Sequence, residues 1–416
     1  MTVPNRTPVD RIPVTLLTGF LGAGKTTMLN HLMHQPEMAG AAVLINEFGE
    51  VGIDHHLVEA VDESLLILDS GCLCCTMQGD LVKALKDLAG RSARREIPPV
   101  TRVLIETTGL ADPVPVIYTL VEQAFVRARY VCDGVVTAVD TTHGLAQLAA
   151  HGEAVRQVAM ADRLLLTKAD RVDSARLAAL EERLAQLNPG APRIQVRHGR
   201  VGPEAVFGGG MYTTAGKIPD VAAWLGEEAA RAQAGQAAVG DGPVAWRRSS
   251  APLRQEAPRH DASIRSFVVD FPAAVPWIGF AVALGRALQQ HGPKLLRVKG
   301  LVSVRGSETS PVVVHCVQDV AYPVMRLPAW PGDSVFEDRH GRLVFIVRDL
   351  DPLAEADIRA SLADLPTDST ALRRVAGSPW LPTKCWLSEP MPRANDSRLK
   401  VDGWVVHAKR LARPGG

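Results

Sequence analysis

The sequence predicts an α/β fold in which helices cover a mostly parallel sheet, followed by a smaller α+β domain. Apolar runs of strand length alternate with helical patterns through the first half of the chain, which is typical of parallel sheets buried on both faces. Beyond about residue 263 the order of the elements changes. The chain has 416 residues, more than one compact core usually holds. We therefore expect two domains.

The candidate elements follow from apolar periodicity. In the first half, strands are predicted at residues 12–18, 41–45, 64–68, 102–106, 131–139 and 163–166, and helices at 26–34, 78–89, 114–125, 155–160 and 174–187. In the second half, strands are predicted at 264–271, 296–305, 311–317 and 343–348, and helices at 277–290 and 354–362. The expected domains are 1–225 and 263–365, joined by a linker at 226–262 rich in Ala, Gly, Gln, Arg and Pro, with an unassigned tail at 366–416.

The composition indicates a folded protein without a general affinity for polyanions. Hydrophobic residues make up 46% and charged residues 22%, and the formal net charge is +1. This balance favours neither nucleic acid nor anionic lipid as a partner. The polar first residues lack the apolar core of a secretory signal, and no apolar run approaches the roughly 20 residues that a membrane-spanning helix needs. We therefore expect a cytoplasmic protein.

Residues 19–26 read GFLGAGKT, a full match to the phosphate-binding loop G-x-x-x-x-G-K-[ST]. A predicted strand precedes this loop and a predicted helix follows it. Its glycines let backbone N–H groups surround phosphates beside the positive end of a helix dipole. Lys25 is expected to reach the β- and γ-phosphates, and the Thr26 hydroxyl to bind Mg²⁺. The first domain is therefore predicted to be a P-loop NTPase domain, with nucleotide-binding residues Gly19, Gly22, Ala23, Gly24, Lys25, Thr26 and Thr27.

Two further segments come directly after predicted strands. Glu106 ends the run RVLIE, where a carboxylate linked to Mg²⁺ is expected, and Gly109 is the candidate sensor of the γ-phosphate. The alternative for this segment is a plain strand end with a turn. Further on, Thr167 begins TKAD, which resembles the [NT]-K-x-D guanine reader of GTPases. There Asp170 would accept two hydrogen bonds that adenine does not offer, and Lys168 would lie over the base. Together these motifs predict a P-loop GTPase.

Three thiols lie within four residues, at Cys72, Cys74 and Cys75. Three thiolates form a soft site suited to Zn²⁺ or Cu(I), with a fourth ligand from elsewhere in the chain. A disulfide between adjacent cysteines is geometrically awkward. A buried or redox-active cluster is the alternative. Just upstream, the segment NEFGE offers Glu47 and Glu50, whose carboxylates either complete the metal shell or are solvated loop charges.

Five segments, taken in chain order, resemble the CobW-type metallochaperone GTPases. They are GFLGAGKTT, NEFGEVGID, GCLCC, ETTGLADP and TKAD. The segments LLRVKGLV and LVFIVRDL look like the C-terminal domain of that family, so the resemblance covers roughly residues 12–365. It implies a protein that hydrolyses GTP to GDP with Mg²⁺ and transfers a metal ion to a client metalloprotein. The family's cysteine motif, here Cys72, Cys74 and Cys75, binds a transition metal, most often zinc, and its switch glutamate corresponds to Glu47. A nucleotide-dependent homodimer is a further option by the same analogy.

Other functions stay open at this point. A thiolate site accepts several metals, so a client that needs cobalt or iron, as in cobalamin synthesis or nitrile hydratase activation, is the second interpretation. A P-loop kinase would instead carry an Arg-rich lid and lack a guanine reader. A GTPase switch with a purely structural zinc would hold the metal equally in both nucleotide states. Many members of the family carry a His-rich stretch, whereas this linker has only His260, which argues against metal storage.

Overall fold

The structure is a computed structural model. It describes residues 11–45, 79–207, 264–322, 324–331, 336–367 and 370 and, as backbone alone, 66–69, 77–78, 405–407 and 410–412. The predicted linker at 226–262 lies outside these residues, as does most of the predicted tail. Within the part of the chain that is described, no helix is both long and apolar enough to cross a membrane.

A parallel sheet of seven strands forms the first domain. The strands are β1 (Ile12–Gly19), β2 (Ala41–Ile45), β3 (Leu66–Asp69), β4 (Arg102–Glu106), β5 (Tyr130–Asp140), β6 (Arg163–Thr167) and β7 (Arg193–Gln195). Their order is β3-β2-β4-β1-β5-β6-β7, and each neighbouring pair is parallel. The carboxyl ends of all these strands therefore lie at one edge of the sheet, and the predicted fold class is confirmed.

Helices cover both faces of this sheet, as the continuous apolar strands require. Leu16 packs into the core that contains Ile117, whereas its neighbour Leu17 faces the opposite core, which contains Met28. The helices are α1 (Lys25–Met33), α2 (Met77–Ala93), α3 (Val114–Glu122), α4 (Ala124–Arg129), α5 (Gly144–Ala150), α6 (Gly152–Met160), α7 (Ser174–Leu187) and α8 (Pro203–Val206). The sequence patterns did not predict α5, α8 or the short β7.

The prediction of one continuous helix at 114–125 is wrong. Helix α3 ends at Glu122 and α4 begins at Ala124, because Gln123 between them has an extended backbone with φ −74° and ψ 113°. The break allows Val126 to be fully buried. Within α4, the Phe125 ring lies 4.2 Å from the Arg129 guanidinium, a cation–π distance. The local spacing of apolar residues does not reveal the break at Gln123.

The second domain is an antiparallel sheet with two helices. Its strands are β8 (Ile264–Phe271), β9 (Leu295–Val302), β10 (Val312–Val317), β11 (Val320–Ala321), β12 (Met325–Arg326) and β13 (Gly341–Arg348), and its helices are α9 (Trp277–His291) and α10 (Pro352–Ala363). The strand order is β11-β10-β9-β13-β8, with β12 beside β10. In the tail, β14 (Val405–His407) and β15 (Arg410–Ala412) form an antiparallel pair.

The two domains share a hydrophobic core. Along β13, Phe345 faces α9 and α10, whereas Val344 and Ile346 point to the other side of the sheet. There they join a core that includes Val131 and Met160 of the first domain. The second sheet is thus buried on both faces, by its own helices on one side and by the first domain on the other.

Candidate nucleotide-binding site

The phosphate-binding loop connects β1 to α1 and depends on its glycines. Gly19 has φ +141°, and a Cβ there would lie 2.4 Å from the carbonyl oxygen of Ala138. Gly24 is left-handed, with φ 83° and ψ 21°, and precedes the first turn of α1. An L side chain is strained in such conformations. The loop therefore closes tightly against β5, and α1 begins directly after it with its N–H groups at the loop.

Lys25 points back into this loop. Its side chain is buried, and Nζ donates a hydrogen bond to the carbonyl oxygen of Gly19, 2.9 Å away. A buried ammonium inside a ring of backbone groups is the arrangement that phosphate oxygens require. Thr26 and Thr27 follow on α1, Thr26 half-buried and Thr27 exposed. The structure therefore brings all the predicted loop residues together at the carboxyl end of β1.

The segment after β4 packs directly on the phosphate-binding loop. Glu106, at the end of β4, is buried and is the register partner of Leu17 on β1. The next residue, Thr107, donates its Oγ1 proton to Thr18 Oγ1, 2.8 Å away. A Cβ on Gly109 would lie 2.6 Å from the backbone nitrogen of Leu21, so only glycine fits there without a shift of the backbone. Glu106 and Gly109 therefore stand next to the phosphate-binding loop.

A third segment, the TKAD motif, touches the same loop from the other side. Thr167 Oγ1 donates to the carbonyl oxygen of Ala23, 2.8 Å away. Lys168 Nζ donates to the carbonyl oxygen of Gly22, 2.8 Å away, and to Oδ2 of Asp140 at 2.7 Å. Lys168 adopts a left-handed backbone conformation with φ 57°. The motif is thus fastened to the loop by a threonine hydroxyl and by a lysine ammonium.

Asp140 is a site residue that sequence reasoning missed. It ends β5, and its side chain is only 2% exposed. Burial alone would raise the pKa of this carboxyl, but hydrogen bonds from Lys168, Thr142 and His143 outweigh burial and lower the pKa to about 2. Asp140 is therefore an anion that holds the Lys168 ammonium. An acidic residue at the end of a strand beside β1 was the signal that could have found it.

Asp170, two residues after Lys168, contacts a turn that contains His198 and Gly199. The sequence patterns did not identify this turn. The backbone N–H of His198 donates to Asp170 Oδ1 at 3.1 Å, and this hydrogen bond is the largest cause that lowers the pKa of Asp170. His198 and Gly199 both have positive φ, 53° and 71°. A Cβ on Gly199 would lie 2.6 Å from Cγ2 of Thr27. Asp170, this turn and α1 thus surround one region beside the loop.

The predicted metal ligands Cys72, Cys74, Cys75 and Glu47 lie outside the residues that the structure describes. Within the described ranges, no group of three or more His, Cys, Asp or Glu side chains is arranged to hold a metal ion. The strands that come shortly before these ligands are described. Ile45, the end of β2, is the register partner of both Asp69, the end of β3, and Glu106. β2 and β3 therefore end at the sheet edge that carries the phosphate-binding loop.

The fold and this site define a P-loop nucleotide-binding protein with a second, antiparallel domain. Residues 13–195 match the family model described as the CobW/HypB/UreG nucleotide-binding domain, and residues 264–365 match the cobalamin synthesis protein cobW C-terminal domain. The chain belongs to this family.

Similar proteins carry names that refer to zinc. The chain is 42% identical over 193 residues to the zinc chaperone YjiA of Escherichia coli (strain K12), a match that spans 46% of this chain and 60% of that relative. It is 27% identical over 387 residues to the zinc chaperone CobW of Sinorhizobium sp, across 85% of this chain and 97% of the relative. The crystal structure of the Zn(II)-bound YjiA GTPase from E. coli is similar with a TM-score of 0.57 and 30% identity, covering 86% of this chain and 100% of that one.

Proposed function

We propose that this protein is a GTP-hydrolysing metallochaperone that binds zinc at Cys72, Cys74 and Cys75 and delivers it to a client metalloprotein under nucleotide control. One observation carries the nucleotide half of the proposal. The TKAD motif is hydrogen-bonded to the phosphate-binding loop through Thr167 and Lys168. A base reader must stand at a fixed distance from the phosphates, and these contacts set that distance.

Guanine is the base that this geometry supports. The Asp170 carboxylate can accept two hydrogen bonds, from N1–H and from the 2-amino group of guanine. Adenine has no donors at these positions and would leave a charged acceptor unpaired, which is costly. Gly22 and Asp140 hold the Lys168 ammonium, and the methylene stem behind it would provide an apolar surface for the ring. A P-loop kinase is less well supported, because it has no need for such a reader.

Mg²⁺ fits the oxygen ligands that the site offers. Glu106 ends β4, the strand beside β1, and Thr26 lies in the first turn of α1, directly after the phosphate-binding loop that follows β1. Both side chains offer oxygen ligands, which are those that Mg²⁺ prefers. The ion would neutralise charge on the β- and γ-phosphates. Lys25 would bind the same phosphates from inside the loop, and the Gly109 N–H would sense the γ-phosphate. Hydrolysis would then rest on positioning and on charge neutralisation.

The metal half of the proposal rests on three thiols and on where the preceding strands end. Three thiolates suit zinc, and relatives of this chain are named zinc chaperones. Glu47 follows β2 and Cys72 follows β3, two strands that end at the same sheet edge as Glu106. A γ-phosphate contact at this edge could therefore reposition the metal ligands. A cytoplasmic location, a nucleotide-dependent homodimer and the domain bounds stated above belong to the same proposal.

Two alternatives differ from this proposal in the identity or in the fate of the metal. Cobalt or iron could be the cargo, for a client of the cobalamin or nitrile hydratase type, because soft sites discriminate poorly by affinity alone. A purely structural zinc is the other alternative. A structural zinc usually has four strong protein ligands, whereas the sequence offers three adjacent thiols with Glu47 as the fourth candidate. Zinc as transferable cargo is therefore the better supported function.

The test is a Zn²⁺ titration of the purified protein with GDP or with a non-hydrolysable GTP analogue bound. The variants are the triple change of Cys72, Cys74 and Cys75 to Ala and, as a matched thiol control, Cys316→Ala in the buried core. The proposal expects a zinc affinity that differs between the nucleotide states, is lost in the triple variant and is kept in the control. Linkage then requires zinc to change nucleotide affinity by the same factor. Equal zinc affinity in both states would leave a GTPase with a structural metal.

A further inference from the structure

Gln157 on α6 holds the loop that carries Gly109. Its side chain is buried, at 1% exposure. Nε2 donates to the carbonyl oxygen of Gly109 at 3.2 Å and to that of Ala111 at 3.1 Å. A primary amide has two N–H donors, and both point into this one loop. Gln157 therefore joins the loop to α6.

The rest of the loop is held at its two ends. At the start, the Thr107 N–H donates to the carbonyl oxygen of Leu17 on β1, 2.9 Å away. At the other end, Arg156 of α6 pairs with Asp112, with Nε 3.4 Å from Oδ2. Between these points, Gln157 Nε2 donates a hydrogen bond to the Gly109 carbonyl. The position of Gly109 against Leu21 thus depends on the position of α6.

The second domain fixes the end of the same helix. Arg297 on β9 is buried, at 1% exposure, and its Nη1 donates to the carbonyl oxygens of Met160 and Ala161, each 2.6 Å away. Its Nη2 pairs with Asp162, which also accepts a hydrogen bond from Lys299 Nζ at 2.5 Å. These carbonyls stand at the end of the helix, where backbone acceptors have no intrahelical partner. The Ala161 carbonyl also accepts a hydrogen bond from Asn188 Nδ2, 2.9 Å away. Arg297 is therefore a cap on α6 that comes from the other domain.

We propose that Gln157 is a positioning residue for nucleotide hydrolysis, and that Arg297 makes its position depend on the second domain. The chain of contacts runs from Arg297 to the end of α6, one helical turn to Gln157, and on to the Gly109 carbonyl. Anything that shifts the second domain, such as a docked partner, then changes the hydrolysis rate through this helix. The inference rests on the proposed role of Gly109 as the γ-phosphate sensor.

Displacement of the Gly109 loop should affect GTP binding and hydrolysis but not GDP binding. Gly109 is packed so closely on the phosphate-binding loop that a Cβ would lie 2.6 Å from Leu21 N. A displacement of about 1 Å in a reacting geometry costs up to about 100-fold in rate. GDP has no γ-phosphate for Gly109 to sense, so GDP affinity does not depend on the loop. A general structural defect would instead weaken both nucleotides.

The first experiment compares Gln157→Met with Tyr130→Phe. Methionine keeps the length of glutamine and removes both donors. Tyr130→Phe is the matched control, because it removes another buried donor. The Tyr130 hydroxyl donates to the Leu85 carbonyl, 2.8 Å away, and this contact lies far along the sheet from the loop. Gln157→Met should lower kcat for GTP hydrolysis about tenfold or more and should lower the affinity for the GTP analogue. Its affinity for GDP should stay within about twofold of the wild-type value. Tyr130→Phe should leave kcat and the affinities for the GTP analogue and for GDP unchanged.

The second experiment separates Arg297 from its neighbour on the same strand. Arg297→Met removes the second domain's guanidinium donor to the end of α6, whereas Lys299→Met removes a partner of Asp162 and leaves that donor in place. Arg297→Met should lower kcat by about threefold or more, and Lys299→Met should not. Because Arg297 acts through Gln157, adding Arg297→Met to Gln157→Met should lower kcat no further. Arg297→Lys, which keeps the charge, should restore part of the rate.

Each outcome decides the inference. An unchanged kcat and an unchanged ratio of GTP-analogue to GDP affinity in Gln157→Met would overturn it, as would a full Arg297 effect in the Gln157→Met background. If Gln157→Met does not fold, Gln157→Leu, which is smaller and also lacks both donors, is measured with the same expectations. Wild-type protein that binds guanine nucleotides but does not hydrolyse GTP would contradict the proposed function instead. The affinity ratio still tests Gln157 in that case.

Discussion

Lys168 Nζ lies 2.7 Å from Oδ2 of Asp140, so the lysine of the TKAD motif is paired with an aspartate from the neighbouring strand. The two strands meet here in register, because Asp140 pairs with Thr167. Asp140 is almost fully buried, and its pKa of about 2 keeps it anionic at neutral pH. A buried carboxylate therefore orients the Lys168 ammonium.

Asp140→Asn should lower the affinities for GDP and for GTP to a similar extent, by about tenfold. The change removes a charge-assisted hydrogen bond worth about 1.5–3 kcal/mol and leaves Lys168 less well fixed. Because both nucleotides share the base, the ratio of their affinities should stay near that of the wild type. Fluorescent GDP and GTP-analogue titrations measure this. Asp351→Asn, which changes an exposed helix cap on the second domain, is the control, and an equal loss there would contradict the role of Asp140.

Gly109→Ala should abolish most GTP hydrolysis while GDP still binds. The added Cβ would lie 2.6 Å from the Leu21 nitrogen, so the loop must move away from the phosphates. Gly79→Ala in α2 is the matched control, because a Cβ there meets nothing within 4 Å. In a helix, that control should stabilise the protein by up to about 1 kcal/mol. Single-turnover hydrolysis and GDP titration check both variants, and normal turnover in Gly109→Ala would argue against a γ-phosphate sensor here.

Asp170→Asn should change the preferred base from guanine to xanthine. Asparagine offers one acceptor and one donor, which matches the N1–H and C2 carbonyl of xanthine but not the two donors of guanine. GDP affinity should fall by about 100-fold or more, since two hydrogen bonds to a charged group are lost. Competition between GDP and xanthosine diphosphate measures the change. Asp173→Asn provides the control, as Asp173 caps α7 through the Arg176 N–H at 2.7 Å and asparagine caps equally well.

Much of the fold could be predicted because local patterns agree with it. The central strands β1 and β4 are continuous apolar runs that end in the motifs, and the predicted bounds 102–106 and 174–187 match the structure. The phosphate-binding loop has its expected strand and helix, and the predicted family is confirmed. The roles of the predicted site residues remain predictions.

The residues that support the site could not be predicted in the same way. Gln157 and Gly109 are separated by 48 positions, and Asp170 meets His198 across 28. Such partners share no local motif, because the chain brings them together only when the sheet forms. The same holds for Arg297 and Asp162, whose separation of 135 positions crosses the domain boundary. Local spacing reports which face of an element is buried, but not what lies against it.

The buried contact between the domains gives a prediction about stability. Asp162 is buried, and its carboxylate pairs with Arg297 and Lys299 and accepts the Val135 N–H at 2.9 Å. Asp162→Asn leaves two cations without their anion, so the free energy of unfolding should fall by about 3–5 kcal/mol. Urea denaturation at pH 7 measures this loss. Asp351→Asn should cost almost nothing, because asparagine is as good a helix cap as aspartate.

This stabilisation should depend on pH in one direction. Burial would raise the pKa of Asp162, but Arg297 and Lys299 outweigh it and hold the pKa well below the ordinary value of 3.8. The unfolded chain therefore binds a proton first as pH falls, so the contribution is complete above about pH 5 and declines below about pH 4. The stability gap between wild type and Asp162→Asn should be constant from pH 5 to 8 and narrower near pH 3. A gap that widened on acidification would mean that the Asp162 carboxylate is not held as an anion between the domains.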